Sequence, residues 1–382
     1  MAVSLLSREV SDLCIGKPAL RWLPLSATVA DALSALRRSG KNWISIWNCD
    51  HYAGRNGDGV SVGDCRCVGK VCLVDVVCFL CREDNLVRPL IALESPVSVL
   101  IRKVPELVKH LEPNSSLREA IDCILEGAQN LIVPKRSRMK SNPKQNLLIH
   151  GHEFCWITQE DVIRFFLNSI NLFSPTPAYS IESLNIIDDN ILAVHYDDPA
   201  LSALPLISNA ITSQTAVAVV DEEGNLIGEI SPRTLSCCDE KVASAIVTLS
   251  AGDLVAYVDC CGSPEDLVQL VKARLEERNL VGMLELMEVE YSASSMSSSS
   301  SSSDDELSVG RNGKHRGNSG LMATVTEPIV CYPESSLVAV MIQAVAHRVS
   351  YVWVIERDCS IVGIVTFAGM LKVFRDQVAI YA

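Results

Sequence analysis

Apolar residues recur at three- and four-residue spacing over Val29–Leu36, Leu117–Leu125, Ala200–Ala210 and Leu337–Ala346. Such spacing predicts amphipathic helices. In the second stretch Leu117, Ala120, Ile121, Ile124 and Leu125 form one stripe. Ser116 and the Ser335-Ser336 pair stand where an N-cap is wanted, and Pro199 at a first helical position loses no hydrogen bond. Gly40 and Gly127 mark helix ends, while Pro205 should kink or shorten the third helix. Each helix is followed by two short, nearly unbroken apolar runs. These are Trp43–Trp47 with Val68–Asp75, Asn130–Val133 with Phe154–Thr158, Ala216–Val220 with Leu226–Ser231, and Tyr351–Ile355 with Ile361–Thr366. The first run of each pair is nearly continuous, which predicts a strand covered on both faces. The loop Asp221–Asn225, with Gly224, reads as a hairpin turn. Second helices begin at Gln159 and at Phe367.

The same unit therefore occurs four times, as β-α-β-β-α of roughly fifty to sixty residues, a size too small to bury its own sheet well. The fold class is α/β in composition, or α+β in layering, with neighbouring copies paired. The expected organisation is repeat 1 over 16–81 with an insertion at 48–67, and repeat 2 over 104–170 with an insertion at 135–153. Repeat 3 spans 180–238 and repeat 4 spans 321–374. Between the last two lie an inserted segment, 239–291, and a linker, 292–320. The inserted segment carries a helix signal over Ser263–Arg278, with Ser263 as N-cap and Pro264 at N1. The linker holds the serine tract Ser297–Ser303 and the acids Asp304-Asp305-Glu306, a composition expected to stay disordered. Ser302 and Ser303, preceding those acids, are candidates for phosphorylation by an acidophilic kinase.

The repeat resembles the CBS domain, two of which pack through their sheets into a Bateman module, so four imply two modules. The segment Leu13–Pro24 and the run Trp47-Asn48-Cys49-Asp50-His51 are similar to the longer, four-repeat branch of the plant CBS-domain-containing proteins. The resemblance implies clefts for adenine nucleotides, AMP, ADP or ATP. The family motif is Gly-x-apolar-Ser/Thr-x-x-Asp where the last strand meets the last helix. There the hydroxyl and the helix N-terminal N–H groups meet a phosphate, and the acid meets the ribose diol. Repeat 2 keeps Thr158 and Asp161, with Cys155 in the glycine position. Repeat 1 keeps Gly69 and Asp75 with Cys72 in place of the hydroxyl. Repeat 3 keeps Gly228 and Ser231 but has Thr234 for the acid. Repeat 4 keeps Gly363 and Thr366 but has Gly369 for the acid. The expected ligand residues are Thr158, Asp161, Asp75, Ser231 and Thr366, with the best-equipped cleft at Thr158 and Asp161. Thr and Asp at these positions are also ordinary helix caps.

A net charge of −13 over 382 residues argues against a nucleic-acid surface. No apolar run reaches the length of a membrane span, and the first residues lack a signal-peptide core, so a cytoplasmic or nuclear location is expected. The fifteen cysteines, many inside apolar elements, read as reduced core thiols. Cys49, His51, Cys65 and Cys67 give a weak zinc pattern, Cys78-x-x-Cys81 reads as core, and His150 and His152 read as loop. No nucleophile–base set or phosphate loop is apparent. The expected function is a non-enzymatic regulator that requires no cofactor, senses adenine nucleotides and modulates a partner protein. Alternatives are a γ-like regulatory subunit of a sucrose-non-fermenting-type kinase, a thioredoxin-system regulator and a ligand-free scaffold. A homodimer is compatible with each.

Overall fold

The computed structural model describes residues 2–39, 42–48, 65–102, 104, 107–135, 153–259, 264–289 and 327–380. The expected disordered linker, Ser302, Ser303, Cys49, His51, His150 and His152 lie outside the described residues. Four three-stranded sheets form, each with a short first strand parallel to the second and the third antiparallel to it. They are β1 (Trp22–Pro24), β2 (Trp43–Asn48) and β3 (Arg66–Cys72); β4 (Val108–His110), β5 (Asn130–Pro134) and β6 (Phe154–Thr158). The second half holds β7 (Leu192–His195), β8 (Val217–Val220) and β9 (Leu226–Ile230); β10 (Val330–Cys331), β11 (Tyr351–Ile355) and β12 (Ile361–Thr366). A parallel pair needs a crossover, and each first-to-second connection supplies one as a helix. The helices are Val29–Ser39, Leu117–Leu125, Leu204–Ser213 and Leu337–His347.

The helix ends follow their sequence signals except at two prolines placed at N1: Pro199, with ψ 128°, is the N-cap of the turn Ala200–Ala203, and Pro264 is likewise an N-cap. Ser116 accepts from the Glu119 N–H at 3.1 Å, and Ser336 accepts from the Ala339 N–H at 3.4 Å. Pro205 does shorten its helix: residues Ala200–Ala203 form a 3-10 turn, and Pro205 sits in the first turn of the α-helix that follows. Pro264 is the N-cap of helix Glu265–Glu277, not its first helical residue, because its ψ of 132° is extended. Among the described residues of the inserted segment that helix is one of four, with Val242–Thr248, Ala251–Asp259 and Val281–Glu288.

Packing joins the four units in two ways. Sheets meet within a module. Trp47, Cys67, Ile132 and Trp156 fill the space between repeats 1 and 2, and Ala216, Ala218 and Val220 join the residues of β11 between repeats 3 and 4. Helices meet between modules. One core takes Leu33, Val76 and Leu80 of repeat 1 together with Ile207, Ile246 and Leu275. The other takes Ile121, Ile163 and Phe166 of repeat 2 together with Met341, Met370 and Phe374 of repeat 4. Polar ties follow the same lines. Arg37 bonds the buried Glu240 carboxylate, and Arg375 Nε donates to Asp122 Oδ1 at 2.6 Å. The inserted segment is thus part of the core that repeat 1 shares with repeat 3, and neither module closes its apolar surface alone. No helix among the described residues is long and apolar enough to cross a membrane.

Candidate functional site

The glycine of each motif lies in register opposite the second strand: Ile46 faces Gly69, Val133 faces Cys155, Val219 faces Gly228 and Val354 faces Gly363. The four positions differ in what covers them. At Gly363 a Cβ would meet the Asp188 carbonyl oxygen at 2.5 Å, because the segment before β7 runs across the strand. There Asp188 N–H donates to the Ile364 carbonyl at 2.9 Å. The same segment brings the Ile186 backbone near Gly369, so the chain itself lies across the cleft at Thr366. Thr366 spends its hydroxyl oxygen on the Gly369 N–H at 3.2 Å. In repeat 3, Val255 of the inserted segment lies 3.3 Å from a Cβ placed at Gly228. Ser231 and Thr234 are buried there in a reciprocal cap, with Thr234 N–H on Ser231 Oγ at 3.1 Å and Ser231 N–H on Thr234 Oγ1 at 3.0 Å.

The pair expected to be best equipped is also engaged. Thr158 and Asp161 form a capping box, with Asp161 Oδ2 accepting from the Thr158 N–H at 2.7 Å and from its hydroxyl at 2.8 Å. The other carboxylate oxygen holds Lys17 Nζ at 2.6 Å. Lys17 lies on the segment before β1, whose Leu20 N–H donates to the Phe154 carbonyl at 2.8 Å. Lys135 Nζ in turn donates to the Lys17 carbonyl at 2.6 Å. The carboxylate oxygen left over by the capping box is thus taken by an ammonium of the same chain.

Beside Asp75 a cavity remains, although Ile101 lies 3.2 Å from a Cβ placed at Gly69, as close as Val255 comes at Gly228. A cavity of about 260 Å³ is walled by Arg66, Val68, Gly69 and Lys70 of β3, by Asp75, Ile101 and Arg102, and by Gln129 and Asn130. Asp75 Oδ2 accepts from the Cys72 N–H at 2.9 Å and from its thiol at 3.1 Å. Burial and the neighbouring Asp75 push the Cys72 thiol well up, so it keeps the proton it donates. Asp75 Oδ1 holds Arg102, at 2.7 Å from Nη2 and 3.2 Å from Nε. Arg102 also reaches the Ser208 carbonyl at 2.7 Å and Thr212 Oγ1 at 3.1 Å, and so ties the cleft to repeat 3. Those four donors use about four acceptor sites, all that a carboxylate has.

Lys70 and Asn130 are the functional candidates that motif matching passes over. Lys70 Nζ approaches Asn130 Oδ1 at 3.5 Å, and burial pulls the Lys70 pKa down. The Asn130 amide nitrogen is buried without a hydrogen-bond partner, and a buried orphan donor costs about 1–3 kcal/mol until an acceptor arrives. The corresponding positions in the second module are Glu229 and Tyr351, and there the pair is closed. Glu229 accepts from Tyr351 Oη at 2.7 Å and from Trp353 Nε1 at 2.8 Å. One pair of positions thus gives a sealed tie in one module and an open cavity in the other.

A second cavity, of about 240 Å³, adjoins the first through Lys70 and Ile211 and is walled also by Arg233, Gln214 and Arg348. Gln214 and Arg348 end their helices at φ 58°, in the left-handed region where glycine is usual. Holding arginine there costs roughly 1–2 kcal/mol, and the residue so held stands in the cavity wall. The first cavity's wall carries Arg66, Lys70 and Arg102 against Asp75, and the second carries Lys70, Arg233 and Arg348 with no acid. In a chain of net charge −13 these adjoining cavities gather positive charge in their walls. The described residues hold no cluster of three metal-ligating side chains. Cys67 is buried with its thiol on the Gly69 carbonyl, and Cys81 is buried against the Ala243 carbonyl.

Four sheet-and-helix units, paired through their sheets into two modules with clefts at the strand ends, are the architecture of a CBS-domain protein. A model of the CBS domain family matches residues 182–236. Over 392 residues the chain is 47% identical to CBS domain-containing protein CBSX5 of Arabidopsis thaliana, covering 98% of each. It is 22% identical to the SNF1-related protein kinase regulatory subunit gamma-like PV42b of the same plant, covering 97% of this chain and 95% of that protein. Protein MJ1225 of Methanocaldococcus jannaschii shares the fold over 96% of this chain and 100% of its own, with a TM-score of 0.54 at 17% identity. The chain belongs to the CBS-domain-containing proteins.

Proposed function

We propose that the chain is a non-catalytic sensor that takes an adenine nucleotide, AMP, ADP or ATP, in the cleft beside Asp75 and passes its occupancy to a bound protein. The observation that carries this reading is the open cavity walled by Arg66, Lys70 and Arg102, with the orphaned Asn130 amide in its wall. Among the described residues, Arg102 is the donor on Asp75 that faces the cavity. A ribose diol displaces it there, and the released guanidinium joins Lys70 on the phosphates. The Asn130 amide gains an acceptor from the ligand. Because Arg102 also bonds Ser208 and Thr212, its displacement is felt in repeat 3, which gives a path from ligand to protein surface.

The kinase is the partner class we favour, on the full-length likeness to a gamma-like regulatory subunit. Co-purification of the tagged chain with an SNF1-related catalytic subunit tests that part, and absence of the kinase from the complex contradicts it. Ligand binding is tested by thermal unfolding of the full chain. A nucleotide at a hundred times its dissociation constant adds about 2.7 kcal/mol to stability. The melting temperature is expected to rise with at least one of AMP, ADP and ATP and to stay unchanged with adenosine. An unchanged melting temperature with all three nucleotides at millimolar excess contradicts the reading.

A further inference from the structure

The last turn of helix Leu204–Ser213 in repeat 3 receives donors from three other parts of the chain. The final carbonyls of an α-helix have no partner inside it. Here the Ala210 carbonyl takes the N–H groups of Gln214 and Thr215, the second at 3.0 Å. The Ile211 carbonyl takes Nε2 of the buried Gln129 of repeat 2 at 2.9 Å, and the same amide reaches the Thr212 carbonyl. Gln214 Nε2 donates in return to the Gln129 carbonyl at 3.4 Å. The Gln214 carbonyl takes the Ser350 hydroxyl of repeat 4 at 2.6 Å. From the side of repeat 1, Arg102 Nη1 donates to the Ser208 carbonyl and to Thr212 Oγ1, while its Nε and Nη2 hold Asp75.

Ser350 carries the connection further. Its carbonyl accepts the N–H of Phe367 at 2.8 Å, the first residue of helix Phe367–Ile380, the motif helix of repeat 4. Hydrogen bonds and one helical turn thus run without a break from Asp75, through Arg102 and Ser350, to the start of that helix. Two features make the turn responsive. It ends at Gln214 with φ 58°, a conformation disfavoured for a residue with a side chain, so its outside donors help to hold it. Its clamp from repeat 1 is a single guanidinium, whose planar fork can bond a carboxylate and a helix together as one ammonium cannot.

We infer that, with a nucleotide in the cleft beside Asp75 as proposed above, this turn is the element through which occupancy reaches repeat 4. A ribose diol that draws Arg102 from Asp75 also draws it from Ser208 and Thr212. The turn then keeps its ties to Gln129 and Ser350 and loses the one to repeat 1. Its clamped and released forms are the two states that the ligand biases. Linkage makes the effect reciprocal: a partner that strains the Ser350 contact changes nucleotide affinity by the same factor as the nucleotide changes the partner's.

Hydrogen exchange on the full chain tests the coupling with and without nucleotide. Arg102→Lys leaves a cation beside Asp75 but lacks the fork. In this variant the amides of Gln214, Thr215 and Phe367 are expected to exchange about tenfold faster than in the wild type, the worth of roughly one hydrogen bond. The amides of Leu131 and Val352, fully buried on their strands, should not change. In a Ser350→Ala background, Arg102→Lys should still speed Gln214 and Thr215 but no longer Phe367. Unchanged exchange at Gln214 and Thr215, a Phe367 response that survives Ser350→Ala, or equal acceleration of Leu131 and Val352 each overturns the coupling. Added nucleotide should speed the same three amides in the wild type. A chain that binds no nucleotide yet shows the variant pattern loses the sensor reading and keeps the coupling. One that binds nucleotide without a change at these amides loses the coupling alone.

Discussion

Replacing Glu229 by alanine is expected to lower the unfolding free energy by about 3–5 kcal/mol, read from the urea midpoint of the full chain. The carboxylate is the acceptor for two buried donors of the neighbouring repeat, Tyr351 Oη and Trp353 Nε1. Removing it leaves both unsatisfied at about 1–3 kcal/mol each and opens a cavity between two sheets. Glu229→Gln keeps an acceptor and the volume, so it should lose less. Burial raises the Glu229 pKa above its ordinary 4.5, opposed by the bonds from Trp353 and Tyr351. The folded state therefore holds its proton in the window just above 4.5, where the unfolded chain has lost it. Stability should fall as pH rises through that window, and Glu229→Gln should remove that part of the slope. A midpoint unchanged by the alanine substitution contradicts the tie.

Lys70→Met is expected to weaken nucleotide binding by about ten- to a hundredfold, the worth of a charge-assisted hydrogen bond, while leaving stability within about 1 kcal/mol. The two readouts separate because Lys70 is a half-buried cation whose desolvation opposes its charge. Methionine fills the same space without that cost. Titration calorimetry and urea unfolding on one preparation check both halves. Equal affinity in the variant removes Lys70 from the site, and a collapse of stability makes it a structural residue.

The sequence displays the four-unit fold because its signals are local. Ser116 and Ser336 cap where serine before an apolar stripe predicts, and each strand pair is read from two apolar runs. Val242–Thr248 and Ala251–Asp259 escape notice for the opposite reason. Every residue of the first is buried, so no polar face marks a helical period. The site is less legible. Thr158 and Asp161 match the motif, yet whether that acid is available depends on Lys17, which arrives on a segment without periodic pattern. Lys70 and Asn130 lie 60 residues apart and meet only when two sheets pair. The motif marks where a cleft can form. What closes it, an ammonium at Asp161 or a crossing backbone at Gly363, is a property of the packed chain.

The central claim is that the cleft beside Asp75, and not the one beside Asp161, takes the nucleotide. Calorimetric titration of the full chain with ATP, AMP and ADP in the wild type, Asp75→Asn and Asp161→Asn tests it most directly. The full chain is needed because repeat 1 shares its core with repeat 3. Binding is expected in the wild type and in Asp161→Asn, and is expected to be lost in an Asp75→Asn chain that still unfolds cooperatively. Binding kept in Asp75→Asn and lost in Asp161→Asn would contradict the account.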